Sequence, residues 1–191
     1  MSAVVDYEKL VVDISKNVEQ NRQFHSASLI GGAESVSVVH AAIETVSKDL
    51  SPEQKRRLES EFVAEGPLRD LLADTDVVEI MIVTKNEIWF EKSGTLSRLD
   101  EGFLSELTFN NFFHRLCDDC KIQTNFESPF ANGFWRSFRV HVSAPPVTPQ
   151  PVITLRRLKE IPIRLEEMQG KGWCSVEELL QLRAAVQSKK N

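Results

Sequence analysis

The stretch Val77-Val78-Glu79-Ile80-Met81-Ile82-Val83-Thr84-Lys85-Asn86-Glu87-Ile88-Trp89-Phe90-Glu91-Lys92-Ser93-Gly94-Thr95-Leu96-Ser97-Arg98-Leu99 decides the fold class. Val77 to Val83 is apolar and β-branched, the composition of a buried strand. Thr84 to Asn86 turns the chain, Glu87 to Glu91 returns, Ser93-Gly94 turns again and Thr95 to Leu99 makes a third short strand. Three strands so closely spaced predict an antiparallel meander. Upstream, Asp74-Thr75-Asp76 reads as a turn and cap leading into the first strand rather than as an acid/base pair. Gly66-Pro67 marks a break before a short helical stretch, Leu68 to Ala73.

Before that break the chain is helical. Tyr7, Leu10, Val11, Ile14 and Val18 fall on one helical face. A loop is expected from Ser26 to Ser35 around Gly31-Gly32, and Val36, Val39, Ile43 and Val46 resume helical spacing. Ser51-Pro52-Glu53-Gln54 opens a third helix: Ser51 can cap the free amides, Pro52 suits the first helical position and Gln54 can reach back. Each helix has a small apolar side, so the three should bundle.

Beyond the meander, Phe109, Phe112, Phe113, Leu116, Cys117 and Cys120 recur at helical spacing, an amphipathic helix to cover one face of the sheet. Two strands follow, Phe138 to Val142 and Val152 to Leu158. In the first, Phe138, Val140 and Val142 point one way, Arg139 and His141 the other. The connection Ser143 to Pro151 carries four prolines and reads as a stiff loop. Ile161-Pro162 to Gly172 reads as a linker. Ser175 to Lys189 is a helix with Ser175 and Glu178 as a capping box and Val176, Leu179, Leu180 and Ala184 on its apolar side. The expected architecture is α+β: a helical region over 1–63, a PAS-like antiparallel sheet with helices on one face over 64–160, and a linker with its helix over 161–191.

Composition narrows the function. The 191 residues are 41% hydrophobic with a formal net charge of −5, enough for a core and against a surface given over to nucleic acid. No run of about 18 apolar residues is present, the start lacks the order of a signal peptide, and three cysteines do not make a disulfide framework. A cytoplasmic protein with reduced thiols is expected. Cys117-Asp118-Asp119-Cys120 lies on the apolar face of a helix, far in sequence from Cys174, and reads as core packing rather than zinc or redox chemistry. The histidines His25, His40, His114 and His141 have no partners at ligand spacing, and no metal is expected.

Four arginines carry the functional reading. Arg136, Arg139, Arg156 and Arg157 lie on or beside two adjacent strands. The plain interpretation is a solvated sheet face. The functional one is a phosphate grip, because a guanidinium is a rigid, permanently charged fork suited to phosphate oxygens. The P-loop pattern G-x-x-x-x-G-K-[ST] is absent: Gly170-Lys171-Gly172 lacks the upstream glycine and the hydroxyl residue after the lysine. No catalytic residue is expected within these 191 residues, which should not hydrolyse ATP by themselves.

Taken in order, the motifs resemble the secretion and pilus-assembly ATPase superfamily, and within it the CpaF-like branch of tight-adherence pili. Glu65-Gly66-Pro67-Leu68-Arg69-Asp70-Leu71-Leu72-Ala73-Asp74 is similar to that branch's G-P-L-x-x-L-L-x-D. Val77-Val78-Glu79-Ile80-Met81-Ile82-Val83 resembles its V-x-E-I-M-V-N strand, and Ile88 to Leu96 its v-y-V-E-x-x-G-x-L. Glu127-Ser128-Pro129 resembles E-S-S-P, Phe138 to Val142 with Pro145-Pro146 resembles s-R-V-n-a-v-x-P-P, and Ile153 to Leu158 resembles l-T-I-R-R-F. The match is collinear over roughly residues 60 to 191.

The resemblance implies a region that folds over ATP and Mg held by a C-terminal RecA-like domain, of which Ser175 to Asn191 would be the first helix, with no nucleotide held tightly by these residues alone. Arg139 and Arg156, with Arg157 next, are the phosphate contacts it implies. It further implies a homo-hexamer assembled through that ATPase domain, working on an inner-membrane platform protein from the cytoplasmic side, with no nucleic acid involved. Where the family has D-A-R-L-P-D-G, this chain has Phe130-Ala131-Asn132-Gly133-Phe134-Trp135-Arg136-Ser137, without either aspartate. Altered nucleotide contacts follow, and Phe134, Trp135 and Arg136 become a candidate partner surface. A stand-alone PAS-like regulatory or docking module is the alternative, and a nucleic-acid-binding arginine face a third.

Overall fold

The computed structural model describes residues 5–24, 33–158 and 164–189. The chain divides into two compact units, Met1–Arg157 and Leu158–Asn191. The loop expected at Gly31-Gly32, the side chain of Val36 and the linker residues Ile161-Pro162 lie outside the described residues.

The first unit begins with three helices, α1 (Tyr7–Phe24), α2 (Ala33–Val46) and α3 (Pro52–Val63). The expected stripe of α1 buries Val11 and Ile14 against Ala42 and Ile43 of α2 and Leu58 of α3, with Tyr7, Leu10, Val18, Val39 and Val46 at the rim. The cap of α3 forms as expected: the Gln54 amide donates to Ser51 Oγ at 3.3 Å, and the Ser51 amide donates to Gln54 Oε1 at 2.8 Å. Such a cap stabilises by about 1 kcal/mol. A 3-10 turn at Gly66–Leu68 and α4 (Arg69–Ala73) follow. Gly66 has φ +58°, and a Cβ there would lie 2.8 Å from the Phe103 ring, so only glycine fits this break.

Six strands form one antiparallel sheet: β1 (Val77–Thr84), β2 (Glu87–Lys92), β3 (Thr95–Arg98), β4 (Phe130–Trp135), β5 (Phe138–Ser143) and β6 (Val152–Arg157), in the order β3-β2-β1-β6-β5-β4. Two meanders thus meet at the β1–β6 pair. The chain leaves the sheet at one edge, β3, and re-enters at the other, β4. The helix between them, α5 (Glu106–Cys120), crosses a single face. That path explains why one face is covered and the other is open.

On the covered face Phe109, Phe112, Phe113, Leu116 and Cys117 of α5 join Ile80, Ile82, Ile88, Val140, Val142, Ile153 and Leu155 in one core. Each fully buried large side chain stabilises by about 1.5–3 kcal/mol. β1, expected to be buried throughout, buries Val77, Ile80 and Ile82 but exposes Val78 and half-buries Met81 and Val83. Its central position in an antiparallel sheet gives it one dry face, not two.

β4 is a correction to the sequence reading, which placed no strand at 130–135. Asn132-Gly133 interrupts the apolar alternation that would have marked it. The glycine is needed because its position faces α5: a Cβ at Gly133 would stand 2.9 Å from Cys120 Cβ. An edge strand tolerates such a residue where a central one would lose packing.

Ionic and backbone contacts join the helices to the sheet. Glu61 is fully buried and pairs with Arg57, which also donates to the Gly102 carbonyl at 2.7 Å. The Leu104 amide donates to the other Glu61 oxygen at 3.2 Å. From α5, Arg115 donates to the Phe62 and Ala64 carbonyls at 2.8 and 2.7 Å, satisfying the free C-terminal end of α3.

In the second unit Leu165–Gly170 forms a short helix, α6, where a linker was expected; Leu165-Glu166-Glu167-Met168-Gln169 are all good helix formers. Helix α7 (Val176–Gln187) follows, with the expected Ser175/Glu178 capping box. Leu179 is buried, whereas Val176 and Leu180 are more than half exposed. Among the described residues no helix is long and apolar enough to cross a membrane.

Candidate functional site

The open face of the sheet takes its character from strand alternation. Residues 139 and 141 of β5 and 154 and 156 of β6 point away from the core because Val140, Val142, Ile153 and Leu155 point into it. Register then sets their neighbours. Arg139 stands directly opposite Arg156, Phe134 of β4 stands opposite Arg139, and Glu79 of β1 stands opposite Arg156. One row across the sheet therefore reads Phe134, Arg139, Arg156, Glu79, Glu91. The adjacent row reads Asn132, His141, Thr154, Met81, Trp89.

Both arginines are exposed. Among the described residues neither forms an ion pair, although Glu79 neighbours Arg156. The Arg139 guanidinium lies 5.9 Å from the Phe134 ring centroid, at the edge of useful cation–π attraction. Like charges directly opposite one another in an antiparallel pair are destabilising. Two guanidinium groups side by side are therefore an arrangement that an anion would relieve. His141 shares the face, with Nδ1 3.0 Å from Asn132 Oδ1 and Nε2 3.4 Å from Ser143 Oγ.

Arg157 is not part of this surface. Adjacent to Arg156 in a strand, it turns to the other face and donates to the carbonyls of Val77 (2.8 Å), Leu72 (3.0 Å) and Asp74 (2.8 Å), with its guanidinium 4.4 Å from the Phe138 ring centroid. The period of two could have separated the two arginines from sequence alone.

The three residues expected to face a partner are divided in the same way. Phe134 is 60% exposed. Trp135 instead belongs to the core: it is buried, its Nε1 donates to Asp119 Oδ2 at 3.0 Å and its ring meets Phe112 edge-on. Arg136 occupies the β4–β5 turn at φ +54°, pairs with Glu65 at 2.5 Å and lies over the Trp135 ring. Phe134's place beside Arg139 could not be read from sequence without β4.

Two other groups behave as structural parts. Asp74 accepts from the Asp76 amide at 2.9 Å and from Lys92 Nζ at 2.6 Å. The Lys92 hydrogen bond first, and that amide second, hold its carboxyl below the usual carboxylate range. Burial pushes the Cys117 thiol up to about 11 and raises Cys120 as well. Because the thiolate is the nucleophile, Cys117 in the folded protein should resist iodoacetamide at pH 8 and label only on denaturation. Mass spectrometry of the alkylated peptides checks this; rapid labelling of native Cys117 would contradict its core placement.

No family model matches the sequence, and no curated protein matches it. Among solved structures, the chain is similar to the crystal structure of the VirB11 ATPase from the Brucella suis type IV secretion system in complex with sulphate, at 17% identity and a TM-score of 0.47. The match covers 64% of this chain and 43% of that one, so the chain spans less than half the length of the structure it resembles.

Proposed function

We propose that this chain is the nucleotide-embracing region of a secretion or pilus-assembly ATPase of the CpaF-like branch. Its open sheet face closes over ATP and Mg held by a RecA-like domain that carries the P-loop. Arg139 and Arg156 are the residues that grip phosphate. Their placement directly opposite each other, exposed and without an ion pair among the described residues, is the observation that carries the reading. The collinear motifs from Glu65 to Leu158 supply the family.

The chemistry fits. Two guanidinium forks rising from register-paired positions on strands about 4.8 Å apart can both donate to non-bridging phosphate oxygens. Nucleotide supplies the charge that the pair lacks. Grip and release would move this region against the ATPase domain. In a homo-hexameric ring at the cytoplasmic face of the inner membrane, that motion would pass to a platform protein. Arg157, committed to three backbone carbonyls, has no part in the grip.

The test is Arg139→Ala and Arg156→Ala in a polypeptide that includes the P-loop domain. An arginine supplied to a phosphoryl-transfer site can be worth about 10³- to 10⁵-fold in rate. Each variant is expected to lose more than tenfold in ATP turnover while retaining its fold. Wild-type rates in both would end the assignment and favour a docking module.

A further inference from the structure

Resting on the phosphate-gripping reading of Arg139 and Arg156, we propose that Phe134 is a nucleobase platform, so that the open face takes a mononucleotide laid across the strands with its base on β4 and its terminal phosphates on β6.

Phe134 sits beside Arg139 in the same row, and the residue is 60% exposed. The other aromatics near it are accounted for: Trp135 lies in the core, and Phe130 lies near-parallel to His141 at 6.3 Å. The Phe134 ring has only the distant Arg139 guanidinium near it among the ring contacts of the described residues. A flat heteroaromatic group is the chemistry that would cover it, since bases stack on aromatic side chains regardless of sequence.

The row also fixes direction and length. Strand spacing places Phe134 about 10 Å from Arg156, with Arg139 between them. Immediately beyond Arg156 stand Glu79 and then Glu91, which repel further phosphate. Cation at the centre, aromatic ring at one end and carboxylates at the other suit a nucleoside di- or triphosphate. A nucleic-acid strand would have to continue over Glu79 and Glu91.

The experiment is an NMR titration of this 191-residue chain with ATP and, in parallel, inorganic tripolyphosphate. Wild type should bind ATP about tenfold more tightly than tripolyphosphate, the scale expected of a single base–aromatic stack. Adenine H2 or H8 should show intermolecular NOEs to the Phe134 ring. Phe134→Ala should lower ATP affinity to the tripolyphosphate level and leave tripolyphosphate binding unchanged, and Phe134→Trp should restore ATP binding. Arg139→Ala should weaken both ligands.

If Phe134→Ala leaves ATP binding intact, or weakens both ligands equally, the platform is wrong, while loss of both ligands in Arg139→Ala would leave the phosphate grip standing. If Arg139→Ala and Arg156→Ala bind both ligands like wild type, the grip itself fails. Absence of saturable binding of either ligand to wild type overturns the platform, while the grip stands or falls with ATP turnover of Arg139→Ala and Arg156→Ala in the polypeptide that includes the P-loop domain.

Discussion

Arg57→Ala is expected to destabilise the fold by about 3–5 kcal/mol, the cost of leaving a buried charge without its partner. Glu61 has no exposed surface. Its carboxylate has two partners, the Arg57 guanidinium within α3 and the Leu104 amide at 3.2 Å. Arg57 in turn holds the Gly102 carbonyl at 2.7 Å, tying the loop before α5 to the helical bundle. Its contact with Glu101, 3.6 Å to a largely exposed carboxylate, adds little. Truncation at residue 57 therefore removes the counter-charge of a dry carboxylate and the donor of a loop carbonyl together.

Guanidinium unfolding followed through Trp89 and Trp135 fluorescence measures the loss. The double variant Arg57→Met/Glu61→Gln should recover more than half of it. Glutamine carries no charge and its carbonyl still accepts from the Leu104 amide. A loss below about 1 kcal/mol for Arg57→Ala would mean that water reaches Glu61 and that the junction is not sealed.

Arg157→Ala should cost about 3 kcal/mol, whereas Arg156→Ala, one residue earlier, should stay within about 0.5 kcal/mol of wild type. Arg157 bonds three carbonyls from the end of α4 and the start of β1 and stacks on Phe138. Hydrogen bonds from a charged donor contribute about 1.5–3 kcal/mol each, but carbonyls near the surface regain water when the donor is lost, so the sum falls short of three full bonds. Arg157→Lys should not rescue, because one ammonium cannot span three acceptors in two segments. Arg139→Ala and Arg156→Ala should be neutral or slightly stabilising, as each relieves a like-charge pair. Thermal melts of the three variants side by side decide the matter. If Arg156→Ala costs as much as Arg157→Ala, Arg156 has a structural role and the open-face site loses half its charge.

Much of the fold was legible because local chemistry and tertiary environment agreed. The meander from Val77 to Arg98, the amphipathic α5 and the Ser51 and Ser175 caps depend on residues within a few positions of one another, and the structure keeps all of them. β4 and the short α6 were not legible. Asn132-Gly133 reads as an interruption because the reason for the glycine, the closeness of Cys120, lies on another element. Trp135 reads as surface because its hydrogen-bond partner Asp119 is sixteen residues away on α5.

The sequence by itself determined that Arg139 and Arg156 are strand residues, that the chain is α+β and that its motifs resemble a secretion ATPase region. Only the tertiary structure decided that these arginines share one face with Phe134, and that Arg157, which strand alternation alone sends to the other face, bonds there the carbonyls of Leu72, Asp74 and Val77. The physical reason is register. Alternation within a strand is a local property, but which side chains meet across a sheet depends on how distant strands pair, and that pairing is set by the core beneath them.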